Sequence, residues 1–415
     1  MALFLPTPKR TASLMKANSY IPALTGVRAI AAFFVFFHHY NQLDFSFPIQ
    51  RTLNEFHVGV TMFFVLSGFL ICMRYYENSE ITSSWFRKYI KNRIARIYPM
   101  YLFLTLLTFL LFFLIGGEAS VMGATQSPIL ILFLNIFFIR GFFDDLKFTG
   151  VGQGWTLTVE ECFYLLAPII FMGIKKNKKN LIYYPLMLLV FGIIMVLVFS
   201  NFSVFGFFKN FQFLFIYTFF GRCIEFFIGM KLALIVLERN EKIISRPVFT
   251  TTGLLGMALA VSILVFLPLN GREFGLYHPF GIFTNNIILP LGIAILYYGL
   301  IIEKSLLQKF LSSATMQLLG KSSYIFYLIH IGVIANLIKN VSRAFIDQQF
   351  NWFDNHGLEW FPEKLNDSVL YIILVFVLLN LVSIVLYKLM EEPLNLAIRK
   401  SGFLEKKLIQ LFDDK

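Results

Sequence analysis

Charge is scarce in this sequence. Aspartate and glutamate number 24 and lysine and arginine 36 in 415 residues, so 14% of the chain is charged while 57% is hydrophobic. A soluble domain of this length could not cover so much apolar surface with so few charges, which excludes the soluble fold classes. Cysteine is sparse as well. Cys72, Cys162 and Cys223 fall inside apolar runs at unrelated spacings, so neither a disulfide framework nor a zinc site is indicated, and no metal is expected. A cleavable signal is also missing, because the apolar run after the basic leader is interrupted by Arg28 and ends in His38 and His39, not in small residues. That run reads as a retained first span. The net charge of +12 comes from lysines and arginines clustered in short loops. This is the pattern of a positive-inside bias and speaks against a nucleic-acid partner.

What the chain does have is length in its apolar runs, with a mean hydropathy of +0.71. Candidate segments lie near residues 22–41, 57–73, 98–116, 128–139, 155–174, 181–200, 212–237, 248–268, 283–302, 322–340 and 368–390. Most approach the ~20 residues needed to cross a bilayer. Loop charges decide which of them cross. If all did, the basic 175–179 and 238–247 loops would lie outside and the acidic 341–367 loop inside. Withdrawing the short run "ILILFLNIFFI" at 129–139 repairs all three loops. The expectation is an all-α polytopic bundle with ten crossings, one re-entrant or buried piece and both termini cytoplasmic. It divides into a cytoplasmic leader (1–21), a transmembrane domain (22–390) and a cytoplasmic tail (391–415), with no soluble domain appended.

The stretch "GVRAIAAFFVFFHHY" poses the functional question. On a helix, the eleven-residue step from Arg28 to His39 returns to within about 20° of the same face, roughly 16 Å further along. An arginine near the middle of a span costs roughly 2.5–3.5 kcal/mol, so this face should turn inward towards a cavity. The competing reading is interfacial, with Arg28 snorkelling to one surface and the histidines marking the other. Arg93 and Arg96 share a helical face near Arg87, Lys88 and Lys91. They suit either nucleotide phosphates or an anionic lipid surface. Arg222 and Glu225, one turn apart, can neutralise each other. His330 reads first as a packing histidine, and Glu391 and Glu392 before Pro393 as a helix end.

These motifs together resemble the membrane acyltransferase-3 family, integral membrane O-acyltransferases of glycans and some small molecules. The resemblance runs from "IPALTGVRAIAAFFVFFHHY" to "LYKLMEEP" and carries the arginine–ten residues–histidine motif on Arg28 and His39. "GVTMFFVLSGFLI" matches the glycine-led second span, although Thr61 stands where many members have an acid. Arg93 and Arg96 match the arginine pair, and "GWTLTVEECFYLLAP" places the characteristic acid at Glu160. "RCIEFFIG" and "GKSSYIFYLIH" match two later signatures.

The resemblance implies an acyl-coenzyme A donor, first of all acetyl-coenzyme A, bound by Arg28, Arg93, Arg96 and Arg222. Acylating an alcohol needs a base for its proton and stabilisation of the developing oxyanion. His39 is the expected base, with Glu160 holding its tautomer, and Glu161 and His38 are the competitors. The implied acceptor is a hydroxyl of an extracytoplasmic or lipid-linked glycan in a bacterial cytoplasmic membrane. It would be acylated directly or through a separate extracytoplasmic transfer protein. The alternatives are a small-molecule O-acyltransferase, or a transporter, which would also bury ionisable residues.

Overall fold

The computed structural model describes residues 20–41, 47–79, 82–116, 127–202, 204–238, 244–356 and 369–401. The leader bases Lys9, Arg10 and Lys16, and tail residues 402–415, lie outside the described residues. Among the described residues seventeen α-helices follow one another, the first being α1 (Pro22–His39), α2 (Ile49–Asn54), α3 (Val58–Tyr75), α4 (Ser83–Leu111), α5 (Pro128–Ile136) and α6 (Trp155–Lys176). Next come α7 (Asn180–Phe199), α8 (Phe211–Tyr217), α9 (Phe219–Glu238), α10 (Val248–Phe266), α11 (Pro279–Phe283) and α12 (Leu289–Ile302). The series ends with α13 (Leu306–Leu311), α14 (Ala314–Ile329), α15 (Val333–Asn355), α16 (Val369–Leu386) and α17 (Glu392–Lys400). Local chemistry starts them where the sequence allows. Thr82 caps α4 by accepting from the Trp85 N–H at 3.2 Å, and Pro22 opens α1 where its missing N–H costs nothing.

Among the described residues, seven helical spans are long and apolar enough to cross a membrane, or eight if the bent α14–α15 pair counts as one. Helices α1 and α9 have 18 and 20 residues but carry the interrupting polar groups, Arg28, His38 and His39 on one and Arg222, Glu225 and Lys231 on the other. Both are central. α1 packs along α3 and α14, and α3 packs most closely along α9. Glycine makes that last approach possible: a Cβ on Gly68 would stand 2.1 Å from the Phe226 carbonyl oxygen, and one on Gly229 2.0 Å from that of Val65. The periphery is inverted relative to a soluble protein. On α7, Met187 and Leu197 are each 64% exposed, facing where lipid chains would lie.

Three local expectations meet different outcomes. The short run at 129–139 becomes α5, only nine residues and so about 14 Å long, well under a bilayer core. The 322–340 segment is not one straight span. It breaks after Ile329, passes Gly332 at φ +92°, and turns 94° into α15. The sequence from Lys339 onward is too polar to continue through lipid, so α15 is an amphipathic helix where an outside loop is expected. The chain also does not stop at Glu391. A π-helical turn over Tyr387–Glu391 carries α16 into α17, with Pro393 in the first turn, where it is tolerated, and α17 packs on α4.

Candidate active site

Three adjoining cavities run through the middle of the bundle. A histidine chamber of about 390 Å³ is lined by His38, His39, His57, Gln153, Arg222 and several aromatic rings. A central chamber of about 130 Å³ holds Ser67, Glu160 and Tyr164 and shares Val60 and Tyr327 with the first. An arginine chamber of about 410 Å³ shares Arg28, Arg93 and Arg96 with the central one. Arg28, where the central and arginine chambers meet, and His39, in the histidine chamber, therefore both face the passage from one side of α1, which answers the question posed by their spacing. Arg28 makes no hydrogen bond or ion pair among the described residues, so its guanidinium is free at the junction.

His39 is exposed to its chamber. Its Nδ1 lies 2.9 Å from the Val35 carbonyl oxygen and 3.2 Å from Nε2 of His330. A carbonyl can only accept, so Nδ1 carries the proton and Nε2 keeps its lone pair. His330 is fully buried at the break after α14, and its own Nδ1 stands 2.7 Å from the Tyr327 carbonyl. By the same reasoning His330 Nδ1 is protonated and its Nε2 accepts from His39. The two contacts are mutually consistent and leave His39 Nε2 as a base facing the cavity.

The expected His39–Glu160 pair does not form. Glu160 accepts from Ser67 Oγ at 2.8 Å and from the Tyr164 hydroxyl at 3.1 Å, one chamber away from His39. At Glu160, α6 faces Ser67 of α3, whereas α1, which carries His39, packs along α14. Of the two competitors, Glu161 lines none of the three chambers, whereas His38 lines the same chamber as His39. Arg222 is also separated from the other expected coenzyme ligands. It lines the histidine chamber, donating to Glu225 at 2.5 Å, to Thr61 Oγ1 at 3.0 Å and to the Ile216 carbonyl at 3.0 Å. Thr61, the departure from the family pattern, thus supplies a neutral acceptor to that guanidinium.

Arg93 and Arg96 do meet in the arginine chamber. Arg93 is 8% exposed and donates to the Tyr75 hydroxyl at 3.3 Å, with its Nε left without a partner. Arg96 pairs with Glu391, and its Nη2 is likewise unpartnered. Buried N–H groups without acceptors are costly and mark a place where an anionic group fits.

Sequence reasoning missed His330 as the partner of His39, and it missed the pair in which His57 Nε2 donates at 2.9 Å to the buried Glu55. The His57–Glu55 pair forms across a turn, where no periodicity signals it. The signal for His330 was present in "FYLIH", but only the fold brings residue 330 to residue 39. Among the described residues, no cluster of histidine, cysteine or carboxylate side chains could hold a metal ion.

The fold and site define a polytopic membrane protein whose passage joins an arginine-lined cavity to a histidine-lined one. The sequence profile described as an acyltransferase domain matches residues 21–388, and the chain belongs to the acyltransferase-3 family. It is similar to the proteins named O-acetyltransferase OatA of Staphylococcus aureus strains NCTC 8325 / PS 47 and COL. Each is 26% identical over 408 residues, which cover 94% of this chain and 59% of the relative. The chain therefore spans well under two thirds of the length of the curated relatives it matches. No solved structure matches.

Proposed function

We propose that the protein is a membrane O-acyltransferase, moving an acyl group, acetyl first of all, from acyl-coenzyme A to a hydroxyl of an extracytoplasmic or lipid-linked glycan. The observation that carries this reading is the passage itself, with Arg28 and Arg93 lacking carboxylate partners at one end and a correctly protonated histidine base at the other. The coenzyme phosphates occupy the arginine chamber, and the thioester arm threads past Arg28 and Glu160. The acceptor enters the histidine chamber, where Trp155, Tyr217 and Tyr277 offer the flat amphipathic faces that sugar rings stack on.

The acceptor hydroxyl gives its proton to His39 Nε2 as its oxygen attacks the thioester carbonyl. The tetrahedral intermediate then collapses, the C–S bond breaks, and the thiolate takes that proton. Arg222, which lines the same chamber, is a fixed positive charge available to the oxyanion. The relatives' name, O-acetyltransferase, supports oxygen as the acylated atom. Purified protein with acetyl-coenzyme A should release free thiol when the cell's glycan fraction is added, and His39→Ala should not. Equal release by both would overturn the reading.

The same reading sets α1, α3, α4, α6, α7, α9, α10, α12, the α14–α15 pair and α16 as ten crossings of a bacterial cytoplasmic membrane. Both termini and the arginine chamber are then cytoplasmic. Cysteines at Asn355 and Asn177 in a cysteine-free background test this topology. Asn355→Cys should react with an impermeant thiol reagent in intact cells, and Asn177→Cys only after lysis. Labelling of both in intact cells rules the arrangement out.

A further inference from the structure

Two arginines in the arginine chamber have roles in neither the sequence motifs nor the reading above. Arg74 lies in the last turn of α3 and Arg399 in the last turn of α17, and both line this chamber but not the central one. Neither makes a hydrogen bond or ion pair among the described residues, and the buried Nε of Arg399 is left without an acceptor. They differ in this from Arg93 and Arg96, which each hold one partner and line both chambers. The whole chamber sets five arginines against two glutamates, Glu391 and Glu392. Glu391 is occupied by Arg96, and Glu392 accepts from Tyr387 at 3.0 Å. Guanidiniums gathered in one cavity without anionic partners repel one another, and a multiply charged anion relieves that repulsion.

The covalent order of coenzyme A supplies the assignment. Going from the thioester, the pantetheine arm comes first, then the diphosphate, then the ribose with its 3′-phosphate. Along the passage from His39, the arginines shared with the central chamber come first and Arg74 and Arg399 last. We infer that Arg74 and Arg399 bind the ribose 3′-phosphate of the acyl donor, while Arg93 and Arg96 hold the diphosphate. This rests on the coenzyme reading above and adds a specificity to it. The protein distinguishes coenzyme A from its dephospho form, and α17, beyond the family's matched residues, supplies half of that distinction. The 3′-phosphate is a dianion, and two planar forks from different helices can each bond it bidentately.

Affinities for acetyl-coenzyme A and for its 3′-dephospho form should be measured by calorimetry on detergent-purified full-length protein. The parent should prefer the phosphorylated donor by at least tenfold. Arg74→Gln with Arg399→Gln should lower affinity for acetyl-coenzyme A about tenfold or more and leave the dephospho form within twofold of the parent. Arg399→Lys should keep part of the preference, since charge survives and the fork does not. An equal parental affinity for the two donors, or a preference that survives in the double variant, would overturn the inference while leaving the coenzyme reading standing. Failure of the parent to bind either donor would defeat both. Retained binding of the dephospho form shows that the variants are folded.

Discussion

Replacing His330 with alanine tests the proton assignment at its weakest-looking member, a residue that touches no cavity-facing atom of its own in the proposed reaction. In the resting state the His39 Nδ1–H is shared between the Val35 carbonyl and His330 Nε2 at 2.9 and 3.2 Å. When His39 takes a proton, both contacts become bonds from a charged donor, a class worth about 1.5–3 kcal/mol each. The 3.2 Å separation lies at the long end of the normal range, so the lower half of that interval applies. At about 1.4 kcal/mol per tenfold, loss of His330 should slow acyl transfer about 10- to 40-fold. It should not reach the ~10⁴ that follows when a base loses its tautomer altogether, because Val35 still holds Nδ1–H. His39→Ala should cost about 10²–10⁴. The assay is thiol release and acyl transfer at saturating donor in folded, detergent-purified protein, with donor affinity measured alongside. Alanine should lower the turnover and spare the affinity, and His330→Gln, whose side chain can still offer an acceptor near the Nε2 position, should recover much of the rate. A parental turnover in His330→Ala would refute the assignment.

Glu160→Gln and His39→Ala should lose activity independently, their effects multiplying in the double variant, because the two side chains share no contact and lie in adjoining chambers; a double variant no worse than His39→Ala would restore them as one unit. Arg96→Leu should lower the melting temperature in detergent, since it strands the Glu391 carboxyl, whose side chain is 3% exposed. Removing one partner of a buried pair costs about 3–5 kcal/mol, and Arg96→Leu with Glu391→Leu should regain most of the loss; no difference between single and double variants would count against the pair. Gly68→Ala should destabilise by about 1–3 kcal/mol or more, as overpacked cores do, because its Cβ meets the Phe226 carbonyl at 2.1 Å. An unchanged melt would mean that α3 and α9 are looser than described.

The sequence by itself determined the class of molecule and one face of the site. Long apolar runs have only helices available to them in lipid, because every backbone polar group must be satisfied within its own segment. The eleven-residue step from Arg28 to His39 returns to the same side of a helix whatever surrounds it. The Arg93–Arg96 spacing is equally local, and both pairs end up lining the passage. What lay beyond one helix was decided by tertiary structure. Glu160 is the expected partner of His39 in the sequence reading, but the rotation of α6 and α1 about their axes is set by their neighbours, and it turns Glu160 towards Ser67 and Tyr164. His330 reaches His39 only because α14 packs along α1 and breaks at that level. Arg74, Arg399 and Arg93 come from three helices, and no spacing relates them. Periodicity fixes direction within an element, whereas which elements meet, and at what rotation, depends on side chains that interlock across hundreds of residues.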